Sequence, residues 1–270
     1  MSIIHPRAIV ASGATIEDGA RIGPWCQIGP EVTIGADVEM ISHVVVDGRT
    51  RIGAGVRLYP FCTVGMAPQD LKYKGEPTEC EVGARTQVRE HVTIHRGTVT
   101  GSGLTKVGED CLLMAGVHVA HDCELGRGVV IANNVLMGGH VTIGDNAVIG
   151  GGAAIHQFTR IGRAAMIGGI AGVEADVIPF GTVIGNRARL AGLNIIGLKR
   201  RGYDRAQIHA LRAAFRLMFR SEGVFAERVE QVRESMGTEP LIAELLAFID
   251  HPSRRGLIRT ATVDADDDAS

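Results

Sequence analysis

Aromatic residues are scarce in this chain: one Trp, three Tyr and seven Phe among 270 residues, or 4%. Ordinary globular cores lean on large rings, so the shortage points to a core built from smaller side chains. Cysteine is sparse and odd in number, five, with no metal-type spacing, which argues against a disulfide framework or a zinc knuckle. An excess of one charge is also lacking. Twenty-eight Lys and Arg face 30 Asp and Glu, for a net charge of -2 and a pI near 6.6. Nothing therefore draws the chain to nucleic acid or to an anionic membrane. No uncharged apolar run is long enough to span a bilayer, and the start, MSIIHPRAIV, has no basic region followed by an apolar stretch. Neither a transmembrane segment nor a signal peptide is expected, which makes the cytoplasm the default compartment.

What is abundant is glycine, 36 residues, and a strict aliphatic beat. From Val107 to Val173 every sixth residue is apolar: Val107, Leu113, Val119, Leu125, Ile131, Met137, Ile143, Ile149, Ile155, Ile161, Ile167 and Val173. A period of six fits neither a helix nor a continuous strand. It is the mark of a hexapeptide solenoid, in which short strands meet at regular corners and each repeat buries one aliphatic side chain. The first half keeps the same beat from Ile4 through Val10, Ile16, Ile22, Ile28, Ile34, Met40, Val46, Ile52 and Leu58 to Val64. Four cysteines, 26, 62, 111 and 123, fall four residues after a core aliphatic, and Cys80 occupies the same slot before Val82. All five are expected as reduced interior fillers, so Cys123 is no nucleophile although it adjoins His121 and Asp122.

Residues 66–81 and 95–106 break the register and read as inserted loops, the usual place on a rigid solenoid for gripping substrates or partners. The period fades after Val173, and Pro179 falls in the next core slot. The solenoid is thus assigned to 1–186, and a crossover and helical region to 187–259. Asp204 is placed to cap a helix with the apolar face Ile208, Leu211, Phe215, Met218 and Phe219, followed by helices over 224–236 and from Thr238–Pro240 through Ile249. The acidic end, 260–270, is expected to be disordered.

Hexapeptide solenoids of the known families close one triangular turn in three repeats, 18 residues per coil. On that period His121, His140 and His156 lie within one residue of a single edge, predicting an imidazole column, with His118 on the same coil as His121. Imidazole titrates near neutrality, so one histidine could serve as general base while others bind polar groups. Three neutral imidazoles could equally hold zinc with an open position, and His118-x-x-His121 has an eligible spacing. Spacing leaves both readings open.

The strings SHVVVDG (42–48), QDLKYKGEPT (69–78), VTIHRGT (92–98), GLTKVG (103–108), HVAHDC (118–123), GGHVTIG (138–144), HQF (156–158) and GLKRRGY (197–203) together resemble the UDP-N-acetylglucosamine O-acyltransferase family, in collinear order from Ile4 to about Arg259. The resemblance implies an all-β left-handed parallel β-helix followed by a C-terminal α-helical domain, assembled as a homotrimer with active sites in clefts between coils. It implies transfer of an R-3-hydroxyacyl group from acyl carrier protein to the 3-hydroxyl of UDP-N-acetylglucosamine, the first step of lipid A biosynthesis. No covalent intermediate, metal or cofactor is implied beyond the phosphopantetheine of the carrier protein. By the same resemblance His121 is the general base, Asp122 orients it, and the Gly139 N–H meets the oxyanion. Asp70, Lys72, His95, His118, His140, His156 and Gln157 touch substrate, Asn194, Arg200 and Arg201 hold the nucleotide end, and Gly169 sets acyl length. With no side chain at 169, a longer hydroxyacyl group is expected. Ile196 departs from the family, which often has an acidic residue there to bind the nucleotide. Three alternatives remain beside this one: the related N-acyltransferase, a zinc hydratase of the carbonic anhydrase type, and a structural scaffold. The first carries a separate N-terminal uridine-binding domain, for which a beat starting at Ile4 leaves no room.

Overall fold

Each hexapeptide folds as a two-residue strand and a corner, as in Val130–Ile131, Leu136–Met137 and Thr142–Ile143. Successive side chains of a strand point to opposite sides. The second residue of each such pair is therefore buried, and the first is exposed or half-buried. The structure, a computed structural model, describes residues 1–260; the expected acidic tail lies outside the described residues except for Thr260.

The strands stack into three sheets of 11, 9 and 8 strands, the faces of a triangular prism. Leu112 pairs in parallel with Val130, and Val130 with Val148, on the first face. His118 pairs with Leu136 on the second face and Glu124 with Thr142 on the third. Register partners are thus 18 residues apart and every coil has three sides. The lumen is filled by one aliphatic per repeat, with Ile131, Ile149 and Ile167 fully buried on the first face. Each such side chain contributes about 1.5–3 kcal/mol by burial. The first coil is different. Ile4 is 44% exposed and Val10 and Ile16 are only half-buried, because no coil lies beneath them. All five cysteines are free and buried, and burial pushes the Cys62, Cys80 and Cys123 thiols up to about 12.

Corners turn through the left-handed region. Asp122, His140 and Phe158 have φ of 59°, 61° and 65° along one edge, where most non-glycine residues are strained. The His140 N–H donates to the His121 carbonyl and the Phe158 N–H to the Gly139 carbonyl, which holds the turns in place.

Both inserted loops interrupt the 18-residue register: Arg57 pairs with Gln87 and Gln87 with Leu112. They occupy 67–78 and 96–103, shorter than the irregular sequence because Glu79–Val82 and Leu104–Val107 pair with each other in the third face. Arg96 ties the loops together, donating from Nε to the Tyr73 hydroxyl (2.9 Å) and from Nη1 to the Gly65 carbonyl (2.8 Å).

At the far end Phe180 plugs the lumen, Gly181–Ile184 forms the last parallel rung and Arg189–Leu193 folds back antiparallel to it. Helix α1 (Ile195–Arg200) is capped by Asn194, and α2 (Arg205–Arg220) opens on a reciprocal capping box between Asp204 and Gln207. Helices α3 (Phe225–Met236) and α4 (Pro240–Asp250) complete the bundle. Ile208, Leu211, Phe215, Val232 and Leu245 form its core. A two-pronged pair from Arg163 to Glu244 (2.7 and 2.6 Å) fastens α4 to the coil. No helix among the described residues is long and apolar enough to cross a membrane.

Candidate active site

The edge between the second and third faces carries His121 and Asp122 on one coil, Gly139 and His140 on the next, and Gln157 and Phe158 on the third. The His121 ring lies over Gly139. A Cβ at 139 would sit 2.5 Å from His121 Cε1 and 2.7 Å from Nε2, so only glycine lets the imidazole occupy this place. His121 meets His140 edge to face at 5.0 Å, and His140 stacks on Phe158 at 4.4 Å.

The predicted imidazole column is therefore corrected at its third member. The rings run from His121 to His140 to Phe158, the last two at the left-handed corner position, so Phe158 occupies the rung assigned to His156. His156 is exposed and lies against the Arg255 guanidinium, which also donates to the Gln157 carbonyl. An 18-residue step from His140 reaches Phe158, a signal that the sequence held. Arg254 covers the Phe158 ring at 4.6 Å.

Asp122 organises the corner. Its side chain is 1% exposed, and its Oδ2 is 2.8 Å from His121 Nδ1. The same carboxylate accepts from Thr98 N–H (3.0 Å), Thr98 Oγ1 (2.6 Å) and Gly103 N–H (3.1 Å), and Ser102 Oγ stands 3.2 Å from it. Burial alone would raise its pKa, but the hydrogen bonds from His121 and Thr98, together with nearby His140, outweigh burial and hold it below the usual carboxylate range. Asp122 is thus ionised and accepts from His121 Nδ1. His140 is depressed by burial, with Asp122 and Asp70 opposing and His121 and Arg254 reinforcing the shift.

His95 and His118 form a second imidazole pair, ring centroids 4.9 Å apart. His118 Nδ1 lies 2.7 Å from the Thr93 hydroxyl. His95 is buried with Nδ1 unpartnered, and burial, then His118 and His121, push its pKa down to about 4. In the first loop Asp70 accepts from the Lys72 N–H, and Lys72 itself is exposed.

His121, Asp122 and His140 offer ligand atoms within 4.8 Å of one another, a set that could hold a divalent cation. His118 is outside that set, so the His118-x-x-His121 ligand pair is not assembled. The Asp122 oxygens are already engaged by four donors from the second loop and His121, leaving them poorly placed for a metal.

Asn194, Arg200 and Arg201 do not join this edge. The Asn194 amide donates to the Ala164 carbonyl and Arg201 Nη2 to the Asn146 carbonyl, which places them on the edge between the third and first faces. Arg200 and Ile196 are exposed on α1. Gly169 is exposed on the remaining edge, where an added Cβ would meet the Gly151 backbone, its carbonyl oxygen at 3.3 Å. What sequence reasoning missed is the second loop as a holder of Asp122.

Comparison with known proteins supplies the context for this geometry. A family model described as UDP-N-acetylglucosamine O-acyltransferase, domain 2, matches residues 176–258, and one of bacterial transferase hexapeptide repeats matches 104–139. An acyl-[acyl-carrier-protein]–UDP-N-acetylglucosamine O-acyltransferase of Azorhizobium caulinodans is 49% identical over 257 residues, covering 95% of each chain. One of Anaeromyxobacter sp. is 47% identical, covering 95% of this chain and 99% of the relative. The solved UDP-N-acetylglucosamine O-acyltransferase of Moraxella catarrhalis superimposes with a TM-score of 0.92 at 43% identity, covering 95% of this chain and 99% of that one. These matches bear out the left-handed parallel β-helix with a C-terminal helical region. The chain belongs to the UDP-N-acetylglucosamine O-acyltransferase family.

Proposed function

We propose that this protein transfers an R-3-hydroxyacyl group from acyl carrier protein to the 3-hydroxyl of UDP-N-acetylglucosamine, the opening step of lipid A biosynthesis, with His121 as general base. The observation that carries the mechanism is the His121–Asp122 pair at 2.8 Å, which engages Nδ1 with the carboxylate and leaves Nε2 on the far side of the ring. As the sugar oxygen attacks the thioester carbonyl, its proton passes to His121 Nε2. The Gly139 N–H, which finds no protein acceptor among the described residues, is available to the oxyanion. The attack forms the new C–O bond; collapse of the tetrahedral intermediate restores the carbonyl and breaks the C–S bond, and the imidazolium returns its proton to the departing pantetheine thiolate. No acyl-enzyme is needed, nor any cofactor beyond the pantetheine. The inward thiols, held protonated by burial, supply no competing nucleophile and suit a reducing cytoplasm.

A homotrimer is part of this proposal, and the separation of the edges supports it. His121 and Arg201 lie on different edges of one prism, so one chain cannot present both to a single UDP-sugar. A neighbouring copy can bring Asn194, Arg200 and Arg201 against the histidine edge of the first, with Asp70, Lys72, His95, His118, His140, His156 and Gln157 completing the cleft. Arg200 and Arg201 suit the diphosphate, which guanidinium groups bind in paired fashion.

His121→Ala tests the mechanism. Assembly measured by sedimentation should be unchanged, and transfer to UDP-N-acetylglucosamine should fall by about 100-fold or more, the scale of a general base. Wild-type turnover in that variant would remove His121 from the role.

A further inference from the structure

We infer that the second loop, 96–103, is a carboxylate holder for the reaction and that Thr98 is a positioning residue acting through Asp122 on His121; this rests on the reading of His121 as base. Four observations converge. Thr98 is 2% exposed and bonds the Asp122 carboxylate twice, through its N–H to Oδ1 at 3.0 Å and its hydroxyl to Oδ2 at 2.6 Å. Gly103 N–H reaches Oδ1 from the other end of the loop at 3.1 Å, and the Ser102 hydroxyl, which bonds the Leu104 carbonyl at 2.8 Å, stands 3.2 Å from it. Gly101 lies flat against the carboxylate, where a Cβ would come 2.5 Å from both oxygens. Beneath, the Thr105 hydroxyl accepts from the Asp122 N–H at 2.8 Å and fixes the backbone of this left-handed residue.

The arrangement specifies which oxygen does what. Oδ1 is committed to the loop. Oδ2 takes the Thr98 hydroxyl and His121 Nδ1, and stands 3.8 Å from His140 Nδ1. The carboxylate therefore cannot rotate to offer a different oxygen or a different angle, and the His121 ring keeps the tautomer and direction that leave Nε2 aimed outward. The donors also disperse the carboxylate charge. An Asp122 without them would attract the His121 imidazolium more strongly and make the base slower to return its proton.

Three variants test this. Thr98→Val keeps size and removes the hydroxyl, Thr98→Ser keeps the hydroxyl, and Asp122→Asn provides the background for a double-mutant cycle. Thr98→Val should lower kcat by about 10- to 100-fold, the range of one charge-assisted hydrogen bond, with KM for UDP-N-acetylglucosamine nearly unchanged. The acid limb of its kcat/KM profile should move to higher pH, as the less solvated carboxylate holds the imidazolium more tightly. Thr98→Ser should restore both. In the Asp122→Asn background Thr98→Val should add no further loss, because its effect passes through the carboxylate. Thr98→Val with wild-type kcat and pH profile, or an additive loss in the cycle, overturns the proposal. His121→Ala run alongside separates the two readings: if it is active the base assignment fails, whereas an inactive His121→Ala with a normal Thr98→Val sinks only the loop. Should Thr98→Val fail to fold, Thr98→Ala removes the same hydroxyl without adding a branched side chain, with the same fall in kcat expected and an unchanged acid limb refuting.

Discussion

Gly139→Ala puts one methyl group into the centre of the proposed mechanism, and the structure sets its size. Gly139 is outside the left-handed region, so alanine is compatible with its backbone. The new Cβ, however, would stand 2.5 Å from His121 Cε1, 2.7 Å from Nε2 and 3.0 Å from Nδ1, where ordinary contact begins at 3.4 Å. The imidazole must move by about 1 Å or the corner must open. Displacement of a reacting group by that amount costs about 100-fold in rate. Folding should scarcely change, because replacing glycine where the backbone tolerates alanine stabilises by about 0.4–1 kcal/mol through the unfolded state, offset by whatever the corner gives. The alanine N–H is retained, so loss of the oxyanion donor is not part of the effect. Steady-state thiol release from hydroxyacyl carrier protein, beside a thermal unfolding curve, reads both quantities. A variant with kcat/KM within threefold of wild type would show that the ring need not lie where the structure puts it.

Other perturbations have equally definite outcomes. His95 is depressed to about 4 against an ordinary 6.5, so it is neutral when folded; the unfolded chain binds its proton first, and stability present above pH 6.5 is lost as pH falls toward 4. That difference is on the order of 3 kcal/mol for this buried group. His95→Gln should flatten the stability curve between those pH values, and an unchanged slope in denaturant titrations would assign it elsewhere. Gly169→Met should shift acyl preference to shorter chains, measured by mass spectrometry of products from mixed acyl carrier proteins; an unaltered product spectrum would remove residue 169 from length selection. Ile196→Glu, four residues before Arg200 on the exposed side of α1, should change KM for the UDP-sugar while leaving kcat within about twofold. A changed kcat with constant KM would contradict a nucleotide-side position.

The lumen was legible because the repeat is short and each rung makes the same demand. Ile131, Ile149 and Ile167 follow directly from the count of six, as do the interior cysteines. The first coil escaped the rule: Ile4 holds a core slot in the sequence, but a solenoid end has no neighbour to cover it. The His121 and Asp122 corner was also readable, since the period assigns every residue to a face or an edge. His156 does lie in the predicted corner, but the ring that stacks on His140 is Phe158, because position 158 repeats the left-handed position of His140. Nothing in the period could join Thr98 to Asp122. A loop inserted into a solenoid has no register of its own, so its contacts depend on how it folds back.

The separation of His121 and Arg201 onto different edges has a genetic consequence. A cell with one allele damaged at the base and another at the guanidinium pair would, on the shared-cleft proposal, assemble mixed trimers. Some of these would juxtapose an intact histidine edge with an intact arginine edge. Two individually null lesions would then complement each other in the diploid state, although both fall in the same gene and neither chain alone is sound.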